Sequence, residues 1–293
     1  MLFSNPGNIH RLRPCPPADF STMIIDTHCH LASRQFDQTR RETYVQRALG
    51  EGIDRMITLG ARMGDWEENL AWNRQFPDAV FCALGIHPDD VHDAPEGWEE
   101  ELVRKAQETP LAAIGETGLD YFHGAPEGWE TENFHRRQQE MLEKHFDLAE
   151  RLGLNIVLHT RDRNGSGSFE DALAIARNHA GRVRPVFHCF IGDAPQASRI
   201  FDELDGMISF TGVVTFKNAP TVAETARWCP EDRIMVETDS PYLSPDPLRG
   251  RMNEPSHLIH TARFIAASRG MEPEEFGRVT TRNAEALYRL TRS

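Results

Sequence analysis

Two histidines, His28 and His30, stand two residues apart at the end of the first apolar run of the sequence, MIIDTHCH. Side chains two residues apart in a β-strand point to the same face, so both imidazoles can bind the same ion. Paired imidazoles suit Zn²⁺, Mn²⁺ or a similar divalent cation. The H-x-H pair alone is a weak signal, because a buried and hydrogen-bonded histidine pair has the same pattern.

Other residues that can ligate a metal stand at or just after the ends of further short apolar runs. Glu116 closes AAIGE, His159 closes NIVLH, His188 closes PVFH, and Asp239 follows RIMVE by two residues. Unrelated buried polar residues would not be expected to recur at the same end of so many runs. Together with the first pair, these residues supply four imidazoles and two carboxylates, which are enough ligands for two metal ions.

Three of the residues suggest distinct catalytic roles. Glu116 is in a middle run, where a carboxylate can bridge two cations that lie ~3.5–4 Å apart and activate water between them. Asp239, in the last run, can bind one cation and accept the proton of the water, which makes it the candidate general base. His87, in GIHP at the end of the third run, is either a core histidine that caps a strand or a donor near the leaving group.

Four basic residues are candidates for contacts with a substrate phosphate. Arg161 follows His159 by two residues and is expected to face the same side, where a guanidinium can pair with a phosphate. Lys217, Arg249 and Arg251 follow the seventh and eighth runs, in loops that often bind phosphate in barrels. Any one of them alone is more readily explained as a solvated surface charge.

Eight short apolar runs alternate with longer segments of helical periodicity. Continuous apolar runs are typical of strands that are buried on both faces. The predicted strands are residues 23–29, 55–59, 80–85, 112–116, 155–159, 185–188, 207–210 and 234–237. The predicted helices are residues 40–50, 65–76, 97–108, 132–152, 169–180, 194–204, 220–228 and 256–269.

This eightfold alternation predicts an α/β fold, a single-domain (β/α)₈ TIM barrel with the candidate metal site at the C-terminal ends of the strands. The alternative is an open doubly wound sheet, and the lack of G-x-G-x-x-G after the first strand weighs against it. The predicted domain spans residues 23–293. The proline-containing residues 1–22 are predicted to form a loosely ordered arm.

Composition limits the classes of partner. The chain has 293 residues and a net charge of −13, which argues against a surface that coats nucleic acid but not against an enzyme that holds a few phosphates. No stretch approaches the ~20 apolar residues of a membrane helix, so no membrane partner is expected. The five cysteines are odd in number and form no C-x-x-C pair, which favours reduced thiols and a cytoplasmic location.

Seven short motifs occur in order: IDTHCHL, GIHP, IGETGLDY, LHTRD, HCFIG, ETDSPYL and RGRMNEP. Over residues 23 to 290 the chain therefore resembles the TatD family of metal-dependent deoxyribonucleases, a branch of the amidohydrolase-like barrels. The resemblance implies a (β/α)₈ barrel with two divalent ions, Zn, Mn or Mg, and hydrolysis of DNA from an end. It also implies one ion held by His28, His30, Glu116 and Asp239, and a second held by Glu116, His159 and His188.

Three segments depart from the family pattern. The loop after Tyr121 is extended, the loop after Arg161 carries NGSGS, and the N-terminal arm has no counterpart. The two loops flank the predicted mouth of the barrel, so they bear on the choice of substrate and leave the metal site intact.

Two other functions are compatible with such a site. A binuclear amidohydrolase or lactonase would act on a small molecule, but many such enzymes bridge the metals with a modified lysine on the fourth strand. Here that strand ends in Glu116, and no lysine lies within five residues of it, which favours the nuclease. A metal-binding protein without turnover is disfavoured by the presence of Asp239 and by an open mouth.

Overall fold

A computed structural model describes residues 24–37 and 39–290 of the chain, so the predicted arm lies outside the described residues. Eight strands form one sheet in sequence order, and each strand pairs in parallel with the next. The strands are β1 (Ile24–Cys29), β2 (Ile53–Gly60), β3 (Val80–Leu84), β4 (Ala113–Tyr121), β5 (Ile156–Asp162), β6 (Pro185–Phe187), β7 (Met207–Phe210) and β8 (Ile234–Val236).

Nine α-helices are present in the described part of the chain. They are α1 (Arg41–Gly50), α2 (Trp66–Gln75), α3 (Trp98–Glu108), α4 (Thr131–Leu152), α5 (Gly167–Arg177), α6 (Ala194–Leu204), α7 (Pro220–Trp228), α8 (Leu258–Arg269) and α9 (Pro273–Tyr288). The sequential strand order confirms the predicted TIM barrel, and the doubly wound alternative is wrong. None of the helices in the described ranges is long and apolar enough to cross a membrane.

The barrel closes where the end of β1 meets the segment that follows β8. Cys29 forms a parallel bridge with Ser240, and the backbone N–H of Asp239 donates to the carbonyl of His28 at 2.9 Å. These contacts place the residues after β8 directly beside the first histidine pair.

Helix α9 was not predicted, because it follows the eighth strand–helix unit. It covers the end of the barrel at which the strands begin. Leu287 and Tyr288 pack against barrel-interior residues such as Ile25, and the side-chain amide of Asn283 donates to the carbonyl of Ile234 at 2.8 Å. The N-terminal end of the barrel is thereby covered, which leaves the opposite rim for function.

Candidate metal centre

Strand β1 is irregular where it carries the first histidine pair. Between its pairings with Met56 and Thr58, it contains one more residue than β2 does. A β-bulge of this kind changes which face the following side chains point to. Ile25 lies in the barrel interior, whereas Cys29 packs in the outer core between sheet and helices. His28 therefore points into the mouth of the barrel, where simple alternation would have placed Cys29.

Strand β4 has the same irregularity around Glu116. Between its pairings with Ile156 and Leu158, it also contains one extra residue. Gly118 lies in this strand with a φ of +144°, and a Cβ at that position would lie 2.0 Å from the carbonyl oxygen of His159. The second glycine of GETG is thus required for β4 to lie against β5 while Glu116 points into the mouth.

The two carboxylate oxygens of Glu116 face two different pairs of histidines. Oε2 lies 3.4 Å from Nε2 of His28 and 3.5 Å from Nε2 of His30. Oε1 lies 2.9 Å from Nε2 of His188 and 3.1 Å from Nδ1 of His159. An arrangement of this kind would let each oxygen serve a separate cation.

Asp239 adjoins the His28–His30 pair. Its Oδ1 lies 3.3 Å from Nε2 of His30 and 3.8 Å from Nε2 of His28. The residue has a φ of +53°, a left-handed conformation that aspartate tolerates better than most residues. Asn253 holds this turn, because its side-chain amide donates to the carbonyls of Thr238 at 2.9 Å and Tyr242 at 2.6 Å. The carboxylate is therefore presented from a fixed backbone.

Two further carboxylates, those of Glu237 and Asp120, contact His188 and His159. Each contact is on the side of the imidazole that faces away from Glu116. Oε1 of Glu237 lies 3.3 Å from Nδ1 of His188, and Oδ2 of Asp120 accepts from Nε2 of His159 at 3.0 Å. Carboxylates in this position fix the tautomer and orientation of an imidazole and raise its basicity. The opposite nitrogens, Nε2 of His188 and Nδ1 of His159, are left to face the centre.

Neither Glu237 nor Asp120 was among the predicted site residues. A signal for Glu237 was present in the sequence, because it follows the interior residue Met235 by two positions, as His159 follows Val157. Alternation along β8 therefore aims Glu237 inward. No such signal exists for Asp120, because the bulge in β4 interrupts the alternation before that residue.

Charges within the cluster shift pKa values in opposite directions. Burial raises the pKa of Glu116, but His188, His87 and His28 outweigh this effect and hold that pKa well below its usual range. Burial lowers the pKa of His188, but Glu116 and Glu237 reverse the shift and raise that pKa well above its usual range. The carboxylate of Glu116 therefore stays ionised, which is the form that can ligate a cation.

His87 faces Glu116 from the end of β3. Its Nε2 lies 3.6 Å from Oε1 of Glu116, and its Nδ1 accepts a hydrogen bond from the backbone N–H of Asp89 at 3.2 Å. Burial lowers the pKa of His87 to about 3, so the ring is neutral at pH 7. With Nδ1 acting as an acceptor, the proton resides on Nε2 and points towards the centre. This tautomer, assigned from the hydrogen bonds, favours the donor interpretation.

The four basic candidates are all exposed: Arg161 lies near the C-terminal end of β5, and Lys217, Arg249 and Arg251 lie in loops after β7 and β8. The guanidinium carbon of Arg161 lies 4.1 Å from the ring centroid of Phe122. The guanidinium carbon of Arg249 lies 3.3 Å from the ring centroid of Phe216, next to Lys217. A guanidinium held against an aromatic face keeps N–H donors free for a phosphate. Arg251 is exposed in the same loop as Arg249.

The donor set fits divalent cations. Nε2 of His28 lies 3.1 Å from Nε2 of His30, and both nitrogens face the carboxylates described above. Ligand atoms bound at ~2.0–2.2 Å to a common ion are separated by roughly these distances. Two clusters of metal-ligating atoms share Glu116: one contains His28 and His30, and the other contains His87 and His159. Imidazole and carboxylate ligands suit zinc, manganese and related ions.

Residues 25–289 match the family model described as TatD related DNase. An uncharacterized metal-dependent hydrolase of Bacillus subtilis, YabD, is 34% identical over 92% of this chain and 100% of its own length. The Escherichia coli hydrolase YcfH is 33% identical over 92% of this chain and 97% of its own length. The residues matched by the family model include every candidate residue of the centre.

Solved structures share the fold. YjjV, a TatD homologue from Escherichia coli, superposes with a TM-score of 0.80 at 24% identity, covering 91% of this chain and 98% of its own. A TatD family hydrolase from Entamoeba histolytica gives a TM-score of 0.79 at 20% identity, covering 92% of this chain and 99% of its own. A phosphotriesterase homology protein from Escherichia coli, with phosphate in its active site, gives 0.65 at 15% identity, covering 91% and 99%.

Proposed function

The chain belongs to the TatD-related DNase family and is a metal-dependent hydrolase, and we propose that it is a deoxyribonuclease that removes nucleotides from the ends of DNA. The observation that carries the proposal is the position of Glu116, whose two oxygens face separate histidine pairs at 2.9–3.5 Å. Hydrolases that cleave phosphodiesters commonly clamp the reacting group between two such cation positions.

Two divalent ions, Zn, Mn or Mg, are proposed as cofactors. The first would be held by the His28–His30 pair, and the second by the His159–His188 pair. Glu116 would contribute to both, and Asp239 to the first. When bound, such ions lower the pKa of water and stabilise negative charge on a phosphoryl oxygen.

The protein's own groups would then move the protons and hold the substrate. Asp239 would accept the proton of the attacking water, because its carboxylate is ionised and fixed beside His30 at 3.3 Å. The Nε2–H of His87 would donate a hydrogen bond to the phosphate or to the leaving oxygen. Since its pKa is about 3, His87 acts as a neutral donor rather than as a charged acid at pH 7.

A DNA end is the proposed substrate because positive charge is confined to a few residues at the rim of an otherwise acidic protein. Arg161, Lys217, Arg249 and Arg251 are exposed there, although the chain as a whole carries a net charge of −13. A few cationic groups on an acidic body can hold two or three phosphates but cannot follow a long strand.

We also propose a cytoplasmic location. Cys29, Cys82, Cys189 and Cys229, the cysteines in the described part of the chain, are all free thiols. Reduced cysteines are typical of that compartment.

The test is an assay of the purified protein, loaded in turn with Zn²⁺, Mn²⁺ and Mg²⁺. The substrates are end-labelled linear single-stranded DNA, a covalently closed circle of the same sequence, and a panel of amides and lactones. We expect stepwise shortening of the linear strand and resistance of the circle. Glu116→Gln is the inactive control. Cleavage of an amide or lactone with no release of nucleotides would instead identify an amidohydrolase.

A further inference from the structure

An exposed aromatic side chain stands directly beside the candidate metal centre and has no role in the functions considered above. Tyr242, in the loop after β8, is 46% exposed although it follows Asp239 by only three residues. Its ring centroid lies 6.1 Å from that of His30, and the ring planes are inclined at 72°. Met252, in the same loop, is also exposed, at 40%.

Tyr242 is held in place at both ends. Its backbone N–H donates to the carbonyl of Asp239 at 2.9 Å, and its carbonyl accepts from the side-chain amide of Asn253 at 2.6 Å. The side chains of Ser33 and Gln35, in the loop after β1, are near enough to the hydroxyl group to lower its pKa against the larger opposite effect of burial. An exposed ring that is already fixed loses little conformational entropy when a flat ligand covers it.

Met252 precedes a residue that is hydrogen-bonded to the segment carrying Tyr242. The next residue, Asn253, donates from its backbone N–H to the carbonyl of Pro241 at 3.1 Å and from its side chain to the carbonyl of Tyr242. The two segments of the loop therefore run next to each other, and both present an apolar side chain to solvent. A ring and a flexible thioether form a surface that adapts to planar groups of different shape.

We propose that Tyr242, with Met252 beside it, is the surface on which the terminal nucleobase of a DNA strand stacks. The inference rests on the proposed function. If the scissile phosphate lies at the His28–His30 pair, the base of the same nucleotide needs an apolar support within one nucleotide's reach. Tyr242 meets this need, because its exposed ring lies 6.1 Å from the ring of His30, centroid to centroid. Stacking is tolerant of sequence, because every base has a π-face.

The test compares two DNA ends on two proteins. Each oligothymidylate carries fluorescein at one end. The other end is either thymidine or an abasic residue, and each is placed in turn at the 5′ and at the 3′ end. Binding is measured by fluorescence anisotropy in the Asp239→Asn background, and kcat/KM is measured in the otherwise unmutated protein. With Tyr242 present, one polarity should favour thymidine over the abasic end by about 5- to 150-fold, the range for loss of one stacked base. In Tyr242→Ala this preference should fall to nearly one.

Three further variants make the outcome decisive. Tyr242→Phe should retain the preference, and Met252→Ala should reduce it without affecting folding. Phe264→Ala, which alters a similarly exposed aromatic residue on the outer helix α8, should leave it unchanged. If Tyr242→Ala lowered affinity and kcat/KM equally for the thymidine and the abasic end, or lowered neither, the stacking proposal would be wrong. Hydrolysis of DNA by the unmutated protein would still support the proposed function. If the unmutated protein released no nucleotide from any end, the proposed function itself would fail.

Discussion

Nδ1 of His188 and Oε1 of Glu237 lie 3.3 Å apart, on the side of the imidazole that faces away from Glu116. Glu237 is 1% exposed and also accepts a hydrogen bond from the backbone N–H of Cys189 at 2.6 Å. A buried anion with these partners cannot easily reorient. It fixes the imidazole with Nε2 directed towards the candidate metal position.

Glu237→Gln should weaken divalent metal binding, because the amide removes the charge that orients His188 and increases its basicity. Loss of such a partner typically costs 10- to 100-fold in metal affinity, and we expect a change of about that size. Competition with a chromophoric chelator measures it. Glu203→Gln on the outer helix α6 is the matched control. Equal affinities for the Glu237 variant and the unmutated protein would show that His188 needs no such support.

Asp239→Asn should retain metal but lose most of its turnover. The amide oxygen can still ligate a cation, but it cannot accept the proton of water at neutral pH. Loss of a general base typically lowers the rate by ~10²–10⁴, and kcat with end-labelled DNA measures this. Asp205→Asn is a matched control, because Asp205 also has a left-handed φ, of +50°, but lies exposed at the end of α6. Activity of Asp239→Asn within about threefold of the unmutated level would contradict the assignment.

The positions of the candidate ligands could be predicted because a parallel barrel brings all strand C-termini to one rim. His159 and His188 each follow an interior valine by two residues, so simple alternation aims them into the mouth. For His28 and Glu116 the reason is different. Each lies within a β-bulge, and an extra residue in one strand is defined only by its pairing with the neighbouring strand.

Helix α9 shows a second limit. Its buried residues, which include Phe276, Val279, Ala284 and Leu287, have helical spacing. An eightfold strand–helix pattern is nevertheless complete without it. Helix α9 covers the end of the barrel at which the strands begin. Its position there is set by tertiary packing and cannot be read from the sequence pattern of the helix alone. The exposure of Tyr242 within a motif shared with the family was likewise visible only in three dimensions.

The stability of the fold should fall in acid partly because of His145. This fully buried imidazole accepts a hydrogen bond from the backbone N–H of Ile86 at 3.1 Å, and burial lowers its pKa from 6.5 to about 4. Between pH 6.5 and about 4, His145 is therefore protonated in the unfolded chain but not in the folded chain. The stabilising contribution is complete above pH 6.5 and is lost as the pH falls towards 4, by at most about 3 kcal/mol.

His145→Gln should remove this dependence, because an amide oxygen can still accept from Ile86 but does not titrate. Urea unfolding at several pH values between 7 and 4, with EDTA present throughout, gives the free energy of unfolding of both proteins. The advantage of the unmutated protein should shrink as the pH falls. Parallel curves would mean that His145 has the same pKa in the folded and the unfolded chain.

The binding of DNA should depend only weakly on salt. A protein that neutralises Z phosphates of a single strand shows a log–log slope of affinity against salt of ~−0.7Z. With two or three phosphates held at the rim, the slope should be about −2. Anisotropy of labelled DNA at several salt concentrations measures it, in the Asp239→Asn background. A slope near −8 would indicate an extended contact surface rather than a grip on a strand end.

Arg161→Ala should raise KM for single-stranded DNA and leave metal content unchanged. Arg161 follows His159 by two residues, and its guanidinium carbon lies 4.1 Å from the ring centroid of Phe122. The N–H groups at the edge of a guanidinium in this position can reach a phosphate next to the scissile one. The loss of one phosphate contact should also make the salt slope shallower by about 0.7. Arg278→Ala, an exposed arginine on α9 at the far end of the barrel, should change neither quantity. If KM and the salt slope were unchanged in Arg161→Ala, Arg161 would not contact a substrate phosphate.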